Sequence, residues 1–402
     1  MEAIFNFSYF PPPQGDAMPP LRPDIDPNGL LEYSVVFTDR SLNHMSAAFQ
    51  AVMTDLSREL KAVYRADAVA IIPGSGTSAM EAVVDQLAQG QRCLVVRNGW
   101  FSYRWSQIFE MSRVPGAVTV LQAREQGDGR QEPFAPPPIE EVVEAIRREK
   151  PALVFAPHVE TSSGIILPEE YIRQMAGAAH EVGGLLVIDC IASGCVWLDM
   201  ADLGIDVLIT APQKGWSSTP CAGIALLSAA ATERVDATDS VSFTLDLKKW
   251  LNLMRAYEGG GFAYHATLPT DGLRQFRDTV LEMGAFGFEK AQDAQWELGN
   301  RVREVLKAAG FSSVAAEGFK APGVVVSYTD NDAIQSGQAF REAGLQIAAG
   351  VPLQVGEGPD FKTFRVGLFG LDKLADVDGA VERFETGLQE VLARQEPVSA
   401  GR

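Results

Sequence analysis

The chain holds 402 residues, 46% hydrophobic and 21% charged, which is enough apolar side chain for a large core and more than one folding unit. A formal net charge of −18 and a pI near 4.7 exclude nucleic acid and anionic membrane surfaces as partners of the whole molecule, while a local basic pocket for a small anion stays possible. Cys93, Cys190, Cys195 and Cys221 show no C-x-x-C spacing, so free thiols in a reducing compartment are expected. The start, MEAIFNFSYFPPP, has no basic n-region and no long apolar h-region, and no later run reaches membrane-spanning length. A cytoplasmic location follows as an expectation.

Residues 1–30 are rich in Pro and Gly and read as an extended arm, whose Phe5, Phe7, Tyr9 and Phe10 favour packing on another surface. Apolar positions at helical spacing over Ser46–Tyr64 predict an amphipathic helix. Ala68–Ile72 reads as a strand and runs through Pro-Gly-Ser-Gly-Thr into a helix over Ser78–Leu87. A strand, a glycine turn and a helix start offer free N–H groups to an anion, although such turns are often plain connections. Cys93–Val96 is the next strand, followed by Asn-Gly-Trp-Phe-Ser-Tyr-Arg, aromatics that either cap the core or offer a flat face to a ring. A helix over Ile139–Arg148 precedes a strand at Leu153–Ala156, which ends in Pro-His-Val-Glu-Thr-Ser-Ser-Gly. There His158 reads as a local hydrogen-bonding residue, and the hydroxyls can serve a ring oxygen or a phosphate. A helix over Glu169–Val182 closes at Gly183-Gly184.

Leu185–Ile188 ends in Asp189, Val207–Ile209 leads through Thr-Ala-Pro-Gln to Lys214, and Ile224–Leu227 follows at once. Runs this short and apolar suit strands buried on both faces of a parallel sheet. Asp189 and Lys214 then fall at the carboxyl edge, where open α/β sheets place ligands. Beyond them, Ser242–Tyr257 reads as a helix, Glu-Gly-Gly-Gly as a flexible connection, and Asp271–Leu306 as one long helical stretch bridging to a second domain. That unit reads as strand (Gly323–Tyr328), helix (Ile334–Ala343), strand (Leu345–Ala348), strand (Thr363–Leu368) and a final helix with Val377, Val381, Phe384 and Leu388 on one face.

Of the lysines, Lys214 alone lies between two apolar strands, with a solvated loop lysine as the plain alternative. Burial lowers a lysine's pKa and makes its amine a nucleophile toward an aldehyde. Asp189 is either a simple end-of-strand acid or the partner of a pyridine nitrogen. A lysine for a Schiff base and an acid for that nitrogen are what pyridoxal phosphate requires. Arg365 sits in an otherwise apolar strand, so it either forms an internal salt bridge or grips a carboxylate with its planar fork.

Six segments, PGSGTSAMEA (73–82), HVETSSG (158–164), DCIAS (189–193), APQKG (211–215), YHATLP (264–269) and FRVGL (364–368), together resemble the class V aminotransferases of fold type I, and among them the alanine/serine–glyoxylate group. The resemblance spans about residues 40–395 and implies an α/β fold. A large domain with a mostly parallel seven-stranded sheet would fill residues 31–285, and a small C-terminal α+β domain residues 286–402. It implies pyridoxal 5′-phosphate as cofactor, Lys214 as the Schiff-base lysine and proton carrier, and Asp189 at the pyridine nitrogen. Phe101, or its neighbour Trp100, would stack on the ring. Ser75, Gly76 and Thr77 would cradle the phosphate with help from Gln213, and Ser162 or Thr161 would lie near the ring hydroxyl. Tyr264 and Thr267 match residues that reach the neighbouring subunit's cofactor, which implies a homodimer with shared sites. Arg365 matches the arginine for the substrate carboxylate, and no residue is assigned to a metal.

Two features depart from the pattern: the family's glycyl-prolyl opening is replaced by FNFSYFPPP and YSVVFTDRSLNHMS, and Phe101 stands where glyoxylate aminotransferases typically carry Trp. The expected reaction is ping-pong transamination between a small L-amino acid (alanine or serine) and a 2-oxo acid (glyoxylate or pyruvate). Two alternatives compete. A lyase of the same fold is one, although a desulfurase would need a cysteine beyond Cys221, and none exists. A silent cofactor-binding regulatory module is the other, for which the acidic chain has no basic helix-turn-helix candidate.

Overall fold

The computed structural model describes residues 25–394, so the expected arm lies outside the described residues up to residue 24. Seven strands form the main sheet: β1 (Ala68–Pro73), β2 (Arg92–Arg97), β3 (Ala117–Gln122), β4 (Leu153–Pro157), β5 (Leu185–Asp189), β6 (Val207–Thr210) and β7 (Ala222–Leu227). Their order is β1-β7-β6-β5-β4-β2-β3. Only β7 runs against its neighbours, β1 and β6, and every other pairing is parallel. Every residue of β4, β5, β6 and β7 is buried, which is why these segments read as unbroken apolar runs instead of alternating ones.

Helices cover both faces. α1 (Ala47–Tyr64) starts on Ser46, whose Oγ accepts from the Phe49 N–H at 3.1 Å, and it buries Phe49, Val52, Met53, Leu56 and Leu60. α2 (Gly76–Leu87) follows β1, and α3 (Trp100–Ser112) follows β2. α4 (Ile139–Glu149), α5 (Glu169–Glu181), α6 (Leu247–Glu258) and α7 (Thr270–Phe286) are the other helices of this part longer than eight residues. Next come α8 (Phe288–Ala308) and a three-stranded antiparallel sheet of β8 (Val324–Tyr328), β9 (Ala348–Ala349) and β10 (Thr363–Gly367), ordered β8-β10-β9. With α9 (Val377–Ala393), these close a separate core around Val302, Phe340, Phe364, Phe384 and Leu388. The architecture is therefore a large α/β part with a mostly parallel sheet and a small C-terminal α+β part.

The elements differ from the sequence pattern where a local device overrides it. The long stretch over 271–306 is two helices, because Gly287 adopts φ 103° between Phe286 and Phe288. The helix expected from Ser242 starts at Leu247, capped by the Asp246 carboxylate on the Lys249 N–H. Ile334–Ala343 is broken by Gly337 at φ 77° into two short helices, and the strand expected at Leu345–Ala348 shrinks to the pair Ala348–Ala349. The sequence reading passed over the edge strand β3, which is nowhere fully buried, the eight-residue helix Ala229–Asp236, and α3, which opens on aromatics with weak helix propensity.

Register aligns the strand ends. Asp189 lies opposite Ile209 and Pro157, and Pro73 lies opposite Ala222. The ends of β1, β4, β5 and β6, together with the loop that carries Lys214, therefore share one edge of the sheet.

Candidate active site

Asp189 closes β5 on this edge and is only 7% exposed. Its Oδ1 accepts from the Ile191 N–H at 2.9 Å, and no donor among the described residues reaches Oδ2. Burial lifts its pKa to about 7; Glu160 adds to the rise, while the Ile191 N–H and the Arg104 charge oppose it. His158, one strand over, is buried with Nδ1 at 2.7 Å from Ser193 Oγ. Burial holds its pKa down to about 3, so the ring is neutral and serves the local hydrogen-bonding role read from the sequence.

Lys214 stands half-buried in the loop after β6, its Nζ 5.3 Å from the centre of the Phe369 ring. No carboxylate among the described residues lies within ion-pair distance. Burial lowers its pKa, and the Arg365 charge lowers it further. Arg365 belongs to β10, with Nε donating to Ala349 O at 2.8 Å and its guanidinium 5.6 Å from the centre of Phe101. Both Nη groups have no acceptor among the described residues, so the internal salt bridge weighed from the sequence is not formed there. The fork is free for an anion.

At the head of α2, the N–H groups of Gly76 and Thr77 find no acceptor among the described residues. Ser75 is the N-cap residue, its N–H donating to Ser78 Oγ at 3.2 Å. Gly76 packs so closely that a Cβ there would lie 2.3 Å from the Ile191 side chain. Gln213 Oε1, next to Lys214, is buried without a partner.

The sequence reading missed the carboxylate that holds the next helix. Glu160 has no exposed surface. Its Oε1 accepts from the Phe101 N–H (3.1 Å), the Ser162 N–H (3.1 Å) and Ser162 Oγ (2.7 Å). Its Oε2 accepts from the Ser102 N–H (2.8 Å) and Ser102 Oγ (2.6 Å). These bonds fix the first turn of α3 and with it Phe101, whose ring has guanidinium groups at 5.4 Å (Arg104) and 5.6 Å (Arg365). Trp100 instead packs 6.0 Å from Tyr103, which favours Phe101 over its neighbour as the residue facing the site. Ser162 also accepts the Trp100 N–H at 2.9 Å, so its hydroxyl is fully engaged in the cap, while Thr161 has no side-chain bond among the described residues. Arg104 and Phe369 were likewise missed. Their only signal was position, one turn after Phe101 and four residues after Arg365.

Tyr264 and Thr267 stand apart from the strand edge. Their hydroxyls lie 3.4 Å from each other, and Tyr264 is 59% exposed. Neither is bonded to the Ser75–Thr77 turn of its own chain.

The residues present fit pyridoxal phosphate on their own chemistry. Free N–H groups head a turn open to a phosphate, a buried acid keeps one oxygen for a ring N–H, and an unpaired amine stands in the loop at the same edge of the sheet. All four cysteines are free, and burial raises the pKa of each, Cys221 to about 11, so none is a ready thiolate.

Comparison with known proteins agrees with this chemistry. The family model for aminotransferase class-V matches residues 30–365. Alanine–glyoxylate aminotransferase of Felis catus is 26% identical over 364 residues, 88% of this chain and 82% of that protein. A 2-aminoethylphosphonate–pyruvate transaminase of Paraburkholderia xenovorans is 28% identical over 86% of this chain and 90% of its own. The crystal structure of an alanine–glyoxylate aminotransferase from Nostoc sp. superposes with a TM-score of 0.73 at 24% identity, covering 87% of this chain and 89% of that one.

The raised pKa of Asp189 has a consequence for the cofactor-free protein. The folded state penalises the ionised carboxyl, so the stability this group contributes is full below about pH 4 and is lost as pH rises through about 7. Asp189→Asn cannot ionise. Cofactor-free Asp189→Asn should therefore gain in melting temperature relative to the parent between pH 5 and pH 8; an equal difference at both pH values would contradict the buried-carboxyl account.

Proposed function

The chain belongs to the class-V aminotransferase family, and from that premise we propose that it moves an amino group from a small L-amino acid, alanine or serine, to a 2-oxo acid, glyoxylate or pyruvate, in a ping-pong cycle. It is a pyridoxal-phosphate enzyme. The observation that carries the reading is an unpaired amine (Lys214) and a buried acid (Asp189) at one edge of the main sheet, with the guanidinium of Arg365, brought in by β10 of the small sheet, close enough to lower the pKa of the lysine. The names of the related proteins support alanine as donor and glyoxylate or pyruvate as acceptor.

When bound, the cofactor supplies an aldehyde that captures the amine and a ring that accepts electrons from the substrate's Cα. In this reading the chain does the rest. Arg365 grips the substrate carboxylate with its two free Nη groups, which orients the Cα–H bond. Lys214 Nζ, its pKa lowered by burial and by Arg365, would take the proton from Cα of the amino donor and deliver it to the cofactor's C4′, and would run the transfer in reverse for the 2-oxo acid. Asp189 offers Oδ2 to the ring nitrogen and keeps the proton there. Gly76, Thr77, Ser75 and Gln213 hold the phosphate, Phe101 lies against the ring, and Thr161 is the hydroxyl left free for the ring oxygen. Phe369 closes the space beside the lysine and limits the substrate side chain.

We place the domain boundary at the Gly287 break, giving residues 31–285 and 286–402. We also place the enzyme in a homodimer, with Tyr264 and Thr267 completing the partner's phosphate site. Support comes from an exposed apolar strip, Leu30, Leu31, Tyr33 and Val35, and from exposed Phe262 and Tyr264. Among the described residues, no helix is long and apolar enough to cross a membrane.

Excess L-alanine without oxo acid should remove the cofactor's visible absorbance band, and glyoxylate should restore it, while Lys214→Ala should do neither. Ammonia and pyruvate released from serine would instead mark a lyase, and no response to any small amino acid would overturn transamination. Arg365→Ala should raise KM for both carboxylate substrates by roughly thirtyfold, the equivalent of about 2 kcal/mol for a half-buried charged contact; an unchanged KM would return Arg365 to a structural role. Co-expressing Lys214→Ala with Tyr264→Ala should give more activity at limiting cofactor than either variant alone, because one site of the mixed dimer is then intact. No such rescue would exclude shared sites.

A further inference from the structure

Arg104 lies one helical turn beyond Phe101 and reaches toward the start of α2. Its Nη1 donates to Thr77 Oγ1 at 3.0 Å, and its guanidinium carbon stands 5.4 Å from the centre of the Phe101 ring. No carboxylate among the described residues comes within ion-pair distance. A partly buried guanidinium carries five donors, and here the protein accepts from only one of its nitrogens. A cation left this way in a polar cleft holds charge in reserve for an anion.

The Thr77 hydroxyl adds direction. Because its oxygen accepts from Arg104, its own O–H is left to donate, and the bond it receives strengthens the one it gives. Thr77 is the second residue of α2, so that donor joins the free N–H groups of Gly76 and Thr77. A lysine could supply the charge but not the planar reach that spans both the Phe101 face and Thr77.

We propose that Arg104 is a positioning residue for the cofactor's phosphate: it orients the Thr77 hydroxyl at the head of α2 and places a positive charge behind the cradle, so the pocket selects a phosphorylated ligand over its dephosphorylated form. This inference rests on the reading that the phosphate stands at Ser75–Thr77.

The test compares the dissociation constants of pyridoxal phosphate and pyridoxal for cofactor-free parent, Arg104→Gln, Arg104→Lys, Thr77→Val and Ser75→Asp. Arg104→Gln should weaken pyridoxal phosphate roughly tenfold or more and pyridoxal far less, the small remainder reflecting the charge that Asp189 feels from Arg104. Arg104→Lys should recover part of the loss, and Thr77→Val, which keeps the charge and removes the hydroxyl, should show a smaller loss of the same kind. Ser75→Asp retains a good helix cap but puts a carboxylate in the cradle, so it should abolish the preference for phosphate whatever Arg104 does. If Ser75→Asp does so and Arg104→Gln leaves the preference intact, the role of Arg104 falls and the cradle stands. If neither variant changes the preference, the cradle itself is misplaced. Equal weakening of both ligands by Arg104→Gln would also overturn the proposal, since it would mean that Arg104 acts on the ring or the fold. Should Arg104→Gln fail to fold, Arg104→Lys and Thr77→Val decide by the same ratio.

Discussion

A single buried carboxylate holds this site together. Glu160 has no exposed surface and no cation within ion-pair distance among the described residues, a placement that would cost several kcal/mol if its oxygens were unbonded. Five donors from Phe101, Ser102 and Ser162 meet it, and the positive end of α3 faces it. The dependence is mutual, because α3 opens on Gly99, Trp100 and Phe101, none of which can supply a side-chain cap. Gly99 admits the acid: a Cβ there would stand 2.1 Å from Ser162 Oγ and 2.8 Å from the Glu160 side chain. Everything α3 contributes to the edge of the sheet, Phe101 first and Arg104 one turn later, inherits its place from that clamp.

The same carboxylate begins a sequence of charges that runs through the site. Glu160 favours the charged form of Arg365 against the penalty of burial, and it opposes ionisation of Asp189. Arg365 in turn disfavours a charged Lys214, while Arg104 favours an ionised Asp189. Each functional group is thus biased by a neighbour that does not bond to it. Catalytic lysines need such bias, because a fully solvated ammonium at neutral pH has no free lone pair.

Much of this was legible in the sequence, for reasons that can be named. Asp189 and Lys214 stood out because β5, β6 and β7 are buried on both faces, which makes a charged residue at their margins conspicuous. The glycine turn before α2 was a weak signal by itself and gained weight only beside the lysine and the acid. Glu160 was hidden: between His158 and three hydroxyl residues it looks like ordinary loop polarity, and only tertiary contact with α3 shows that a carboxylate was required. Helix α3 was hidden with it, since its stability comes from a residue 58 positions away and not from its own composition. Strand β3 did carry a signal, Val118, Thr119, Val120 and Leu121 in one short run, which the sequence reading passed over. Gly287 was visible as a glycine, but the helical periodicity on both sides masked the break it makes.

The position of β7 carries a consequence for how the chain is built. In the sheet order, β1 touches only β7, which lies about 150 residues later in the sequence. During synthesis, β1, the first strand of this sheet, has no edge of the sheet to join until β7, its last, has been made and has turned antiparallel beside β6. The turn at Ser75–Thr77, anchored through the Gly74 N–H to Cys221 O, waits with it. Arg365 arrives later still. Closing so long a loop before its contacts reward it makes that first docking a slow step of folding.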